Sequence, residues 1–192
     1  MIALVFKLGA APFHSWAPDL YSRLSFSYTS FFTLLPKLTV LGFLILQSFD
    51  HSMFALVALL SLIVGAIGIS GQWLIGRFVA YSSMVHLGYF FLAISSFTSF
   101  LFYAFVYGIT LLAFFIGISK FTNKPLAGCL AISLFSLAGL PPFAGFFAKL
   151  AVLFHFNWIA IVAVIASTIS AANYLSLVKS FLFNLKFSVT FK

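Results

Sequence analysis

From Phe78 to Ser119 the chain runs for 42 residues without Asp, Glu, Lys or Arg. A bilayer core about 30 Å thick takes roughly 20 apolar residues per helical crossing. That stretch alone therefore makes two crossings, joined at Ser95-Ser96-Phe97-Thr98-Ser99. The rest of the chain follows suit. Of 192 residues, 64% are apolar and 6% charged, against about 25% charged in a soluble domain. Ten Lys and Arg, two Asp and no Glu cannot cover a water-facing globule, which excludes a soluble enzyme. The basic residues stand singly and form no patch, which argues against nucleic acid. Cys129, the single cysteine, reads as an inert packed thiol. MIALVFK lacks a basic start and the apolar character continues beyond it, so insertion by the chain's own helices is expected rather than a cleaved leader. The 28 phenylalanines hint at the coding bias of an AT-rich, organellar genome.

The expected architecture is all-α, a polytopic transmembrane bundle of about seven spans, treated as one domain over residues 1–192. After a first loop, spans are expected at 31–47, 53–70, 78–96, 99–119, 126–156 and 158–179. No internal repeat is evident. Threading the spans alternately places Arg23, Arg77, Lys120, Lys124, Lys186 and Lys192 on one side and Asp50 on the other, so the basic side faces the cytoplasm or a mitochondrial matrix. Residues 126–156 would make a helix ~46 Å long, too long for one crossing. Gly139-Leu140-Pro141-Pro142 supplies a break, because proline removes an N–H and clashes with the preceding turn. Broken helices inside a bilayer survive where protein covers them or where they line a wet cavity, and they mark ion paths; a packing kink is the alternative.

Lys7, Lys37 and Lys149 interrupt apolar stretches. An ammonium costs ~2.5 to 3.5 kcal/mol at the bilayer centre on insertion scales, so each is a candidate functional group unless it snorkels to a headgroup. An amine taken out of water also gives up its proton more easily. Lys179 closes the last span and is expected to snorkel. His86 shares a helix face with Ser82 and Ser83, an arrangement suited to a proton relay or to a histidine satisfied by its own helix. His14, His51 and His155 read as interfacial anchors. No Cys/His cluster has metal-ligand spacing, no Gly-rich loop could cradle phosphates, and Asp19 and Asp50 make no general-acid pair. Covalent chemistry by this chain alone is not expected.

KLGAAPFHSWAPDLY at 7–21, GRFVAYSSMVHLGY at 76–89 and SLAGLPPFAGFFAKL at 136–150 resemble three signature stretches of the antiporter-like proton-pumping subunits of respiratory complex I, and the resemblance covers nearly the whole chain. It implies the seventh to thirteenth core helices of such a subunit, with discontinuous helices near 8–12 and 139–142. By that resemblance Lys7 belongs to a central proton site, Lys37 passes protons on, Lys149 ends the path and His86 lines the same hydrated axis; Ser82, Ser83, Pro141 and Pro142 support it. The resemblance further implies a mitochondrial inner-membrane subunit that couples NADH oxidation and ubiquinone reduction elsewhere to proton movement. NADH, flavin, iron–sulfur clusters and ubiquinone are expected in other subunits and no cofactor in this chain. The alternatives are a cation/proton antiporter subunit of the same fold and a structural membrane subunit that does not pump.

The family's first six helices have no counterpart here, and the last is missing or reduced to LKFSVTFK. Three expectations follow. Residues 139–142 are non-helical near mid-membrane with Lys149 turned inward. Lys37, His86 and Lys149 share one polar layer with hydroxyls such as Ser82 or Ser83. Lys7 meets a carboxylate from a separate polypeptide that supplies the missing helices, since this chain has no Glu to offer.

Overall fold

The computed structural model describes residues 2–47, 51–119, 124–156 and 158–182. Within them are nine helices and no strand: α1 (Ile2–Leu8), α2 (Trp16–Arg23), α3 (Phe26–Ile45), α4 (His51–Ile69), α5 (Ile75–Ala93), α6 (Phe97–Ser119), α7 (Lys124–Ala138), α8 (Ala144–Leu153) and α9 (Trp158–Leu182). Pairing α1 with α2 and α7 with α8 as broken crossings gives seven spans. Asp50, Lys120, Lys186 and Lys192 lie outside the described residues, as does the tail segment LKFSVTFK.

By length and apolar composition, α3, α6 and most of α4 and α9 can each cross a membrane. Their outward faces are apolar, with Leu101, Phe102, Phe105 and Ile109 exposed along α6 and Leu56, Leu60, Ile63 and Ile67 along α4. A water-soluble protein does not present such continuous faces; a hydrocarbon solvent accepts them.

The more polar α5 is the hub. Every one of its 19 residues except Arg77 and Tyr81 is buried, and it packs on α2, α3, α4, α6, α8 and α9. Its histidine, serines and tyrosines are thus kept from lipid by the helices around it. Apolar burial drives little association in lipid, so close approach matters more there, and small residues allow it. At Gly65 of α4, an added Cβ would sit 2.8 Å from Val85 Cγ2 and 2.9 Å from the Val85 amide of α5.

Helix α3 begins at Phe26, five residues before the expected span. Its first turns are rich in Ser and Thr, which read as loop in sequence, but the hydroxyls of Thr29, Ser30 and Thr33 bond back along the helix. Thr29 Oγ1 donates to Ser25 O at 2.9 Å, Ser30 Oγ to Ser27 O at 2.7 Å and Thr33 Oγ1 to Thr29 O at 2.8 Å. Such bonds hide the hydroxyl's polarity inside the helix. Pro36 sits within the same helix and frees the carbonyl four residues earlier, that of Phe32. The Tyr21 hydroxyl of α2 donates to that carbonyl at 3.3 Å.

The end of α2 that carries Arg23 lies against the start of α5 that carries Arg77. Arg77 Nη2 meets Asp19 Oδ1 at 3.4 Å in an exposed pair, which joins the start of α5 to α2 and contributes little to stability. Asn173 of α9 bonds Ser70 at the end of α4 at 3.1 Å, which brings the Lys179 end of α9 to the same side.

Candidate functional site

Each broken helix is built the same way. Gly9 and Gly139 have φ of +68° and +77°, a conformation that glycine adopts without strain. Gly9 N–H donates to Phe6 O at 3.0 Å and Ala10 N–H to Val5 O at 3.2 Å; Gly139 N–H donates to Ser136 O at 3.0 Å and Leu140 N–H to Phe135 O at 3.2 Å. These are the paired bonds of a Schellman ending, which satisfy two of the carbonyls a helix end leaves open. Pro12 and Pro142 follow three residues after each glycine. No repeat was expected, yet the two ends share this local plan. Residues 139–143 are non-helical between α7 and α8, as the two prolines require.

The two breaks differ in the further bonds that hold them. At the first, Trp16 Nε1 donates to Phe6 O at 3.1 Å, and Ser61 Oγ of α4 accepts from the Ala11 amide at 3.2 Å. At the second, the Lys149 ammonium of α8 turns back and donates to Leu137 O at 3.0 Å and Ala138 O at 2.8 Å. It thereby rests on the negative end of the α7 dipole, a favourable place for a cation that is only 6% exposed. The Tyr89 ring lies 5.4 Å from Nζ, within cation–π range. An added Cβ on Gly139 would lie 2.8 Å from Lys149 Cδ and 3.0 Å from Nζ, so only glycine leaves room for this chain. Ser136 Oγ accepts from the Gly145 amide at 3.1 Å and thus holds the open N-terminus of α8.

His86, 4% exposed, is gripped through both ring nitrogens. Nδ1 is 2.8 Å from the Tyr103 hydroxyl and Nε2 is 3.3 Å from that of Tyr174. Tyr174 in turn bonds Ser82 Oγ. Tyr103 and Tyr107, four apart on α6, share a face, and the Tyr107 ring packs against the imidazole, tilted by 41°, at 4.7 Å between centroids. A phenol can donate or accept, so the two bonds survive in either neutral tautomer and in the imidazolium. A proton can therefore arrive at one nitrogen and leave from the other without breaking the grip.

His86 and Lys149 line one small cavity of about 10 Å³, with Tyr103, Tyr107, Thr110 and Ser136. Lys37, 5% exposed, lines a second cavity of about 470 Å³ with Lys7, Trp16, Tyr21 and Pro36.

The structure thus brings His86 and Lys149 together, and Lys37 together with Lys7. Ser82 joins the hydroxyl chain to His86, whereas Ser83 bonds Ala80 O of its own helix at 2.7 Å and does not. Lys7 is exposed. Among the described residues the acidic one is Asp19, engaged by Arg77, so no carboxylate described here faces Lys7. Pro141 and Pro142 shape the break and are exposed. His14 and His155 lie in the loops as expected, His155 Nε2 being 3.5 Å from Ser99 Oγ; nothing is described of the His51 side chain. Among the described residues no three His, Cys, Asp or Glu side chains gather to hold a metal. Sequence reasoning missed Tyr89, Tyr103, Tyr107, Tyr174 and Ser136. The available signal was that a tyrosine inside an apolar helix must find a partner for its hydroxyl.

Comparison with known proteins points one way. A family described as NADH:quinone oxidoreductase/Mrp antiporter, TM, matches residues 1–126. The chain is 36% identical to NADH-ubiquinone oxidoreductase chain 2 of Rhizopus oryzae over 93% of its own length and 43% of that protein. It is 35% identical to NADH-quinone oxidoreductase subunit N of Wolbachia sp. subsp. Brugia malayi (strain TRS) over 96% of its own length and 47% of that protein. Among solved structures it resembles a chain of respiratory complex I from Thermus thermophilus with bound aureothin, with a TM-score of 0.86 at 28% identity, covering 94% of this chain and 47% of that one. The chain spans about half the length of the curated relatives it matches.

Proposed function

Because the chain belongs to the NADH:quinone oxidoreductase/Mrp antiporter transmembrane family, we propose that it moves protons within the membrane arm of a NADH:ubiquinone oxidoreductase. The observation that carries this reading is the burial of Lys37, His86 and Lys149 among apolar helices, with His86 held by the Tyr103 hydroxyl and Lys149 by the carbonyls of a helix break. Buried cations in a bilayer are costly and are kept where protons or ions must pass.

Lys37 receives a proton from the Lys7 side of the large cavity, His86 takes it up, and Lys149 holds it on the α7 carbonyls before release. Moving one charge against 100 mV requires ~2.3 kcal/mol, so the energy comes from neighbours that oxidise NADH and reduce ubiquinone. NADH, flavin, iron–sulfur clusters and ubiquinone belong to those neighbours on this reading, as do the other membrane-arm subunits that flank this chain. Lys7, exposed to its cavity, is paired with a carboxylate from a neighbouring polypeptide. The location is the mitochondrial inner membrane with the Arg23 and Arg77 end in the matrix, a placement supported by the basic loops and the abundance of phenylalanine.

The test is the ratio of protons moved to NADH oxidised by the intact complex in vesicles. Lys149→Ala is expected to lower that ratio with the complex fully assembled. An unchanged ratio would contradict the proposal and favour a structural subunit.

A further inference from the structure

The Tyr107 hydroxyl is buried and has no hydrogen-bond partner. It is an unusual state, because a buried polar group without a partner costs more than a made bond returns. Tyr107 lines the cavity shared by His86 and Lys149. That cavity, about 10 Å³, is the size at which a single water fits, provided two to four polar groups surround it. Such groups are present. Lys149 uses two of its three N–H donors on Leu137 O and Ala138 O. Ser136 Oγ accepts from Gly145 and keeps its own proton to give. Tyr103, also in the lining, bonds His86 Nδ1.

We propose that the cavity binds one water, that Tyr107 is the positioning residue which fixes it, and that this water joins Lys149 to His86 through the Tyr103 hydroxyl. The inference rests on the proton-moving reading above and deepens it. The transfer balances as a hydroxyl relay. The imidazolium gives its Nδ1 proton to the Tyr103 oxygen, Tyr103 gives its own proton to the water, and the water gives one of its protons to the neutral Lys149 amine. Tyr103 and the water each end with as many protons as they began with, and one positive charge has moved from His86 to Lys149. Tyr107 exchanges no proton in this scheme. Its hydroxyl holds the oxygen in place, and its ring, packed at a tilt 4.7 Å from the imidazole, sets where that hydroxyl sits.

The experiment uses the intact complex. A high-resolution map of the unaltered complex is expected to hold one ordered water within hydrogen-bonding distance of both Tyr107 Oη and Lys149 Nζ. Tyr107→Phe keeps the ring and removes the hydroxyl. It is expected to empty the site, slow proton-coupled turnover roughly tenfold and enlarge the solvent isotope effect on turnover, a readout that a purely packing role would not move. Absence of the water from the unaltered complex overturns the proposal whether or not the variant assembles, and so does an assembled Tyr107→Phe complex with unchanged turnover and isotope effect. Lys149→Ala separates the two claims: if it lowers the proton ratio while Tyr107→Phe changes nothing, the water site fails and the proton-moving reading stands; if Lys149→Ala changes nothing, that reading itself fails.

Discussion

His86 is useful because of its neighbours. A lone imidazole among apolar side chains would leave two nitrogens to satisfy, and α5 offers only Ser82 and Ser83 nearby, of which Ser83 is spent on its own helix. Tyrosines from α6 and α9 complete the shell. Tyr174→Phe removes the hydroxyl that links Ser82 to His86 Nε2 and leaves a buried nitrogen without its partner. The expected cost is about 1 to 3 kcal/mol, read as a lower heat-dissociation midpoint of the purified complex, together with slower proton-coupled turnover. An unchanged midpoint would mean that the imidazole is satisfied elsewhere.

At the scale of elements, the proline inside α3 and the proline pair between α7 and α8 pose one problem that is solved in two ways. In α3, Pro36 leaves the Phe32 carbonyl open one turn before Lys37, and Tyr21 reaches across from α2 to fill it. Tyr21→Phe is expected to destabilise the α2–α3 contact by roughly 1 to 2 kcal/mol, measured as faster proteolysis of the α2–α3 loop in membranes; protection equal to that of the unaltered chain would contradict the account. Between α7 and α8 the chain breaks outright, and the ammonium of Lys149 fills the open carbonyls. Gly139→Ala should lose ~1 to 2 kcal/mol from left-handed backbone alone, and more because the new methyl meets Lys149 Cδ. The check is heat dissociation combined with the proton ratio, both of which are expected to fall. The breaks themselves were legible in sequence, since Pro141-Pro142 and the excess length of 126–156 point to one answer. The like construction at Gly9 and Gly139 was not, because a few matching residues make no detectable repeat and the shared feature is a backbone conformation with its two bonds.

Across the whole molecule, the residues that stand out in the sequence and that the structure buries are those whose presence in a membrane is costly on its own terms. Lys37, Lys149 and His86 announce themselves by charge or titration in an apolar run, and the spans by length. Tyr103, Tyr107 and Tyr174 do not, because a tyrosine is apolar over most of its surface and one-dimensional spacing cannot say which hydroxyl meets which nitrogen across three helices. The early start of α3 was hidden for a related reason: Ser and Thr look like loop until their hydroxyls fold back on the helix. The polarity of α5 likewise makes sense only once six other helices surround it.

The central claim is that His86 and Lys149 stand on one proton path. Proton-coupled turnover of the intact complex should be measured for His86→Gln, Lys149→Ala and the double variant, each checked for assembly. Groups acting in series are strongly non-additive, so the double variant is expected to be no slower than the slower single one. Losses that multiply, with the double variant slower by the product of the two, would place the residues on independent paths and contradict the account.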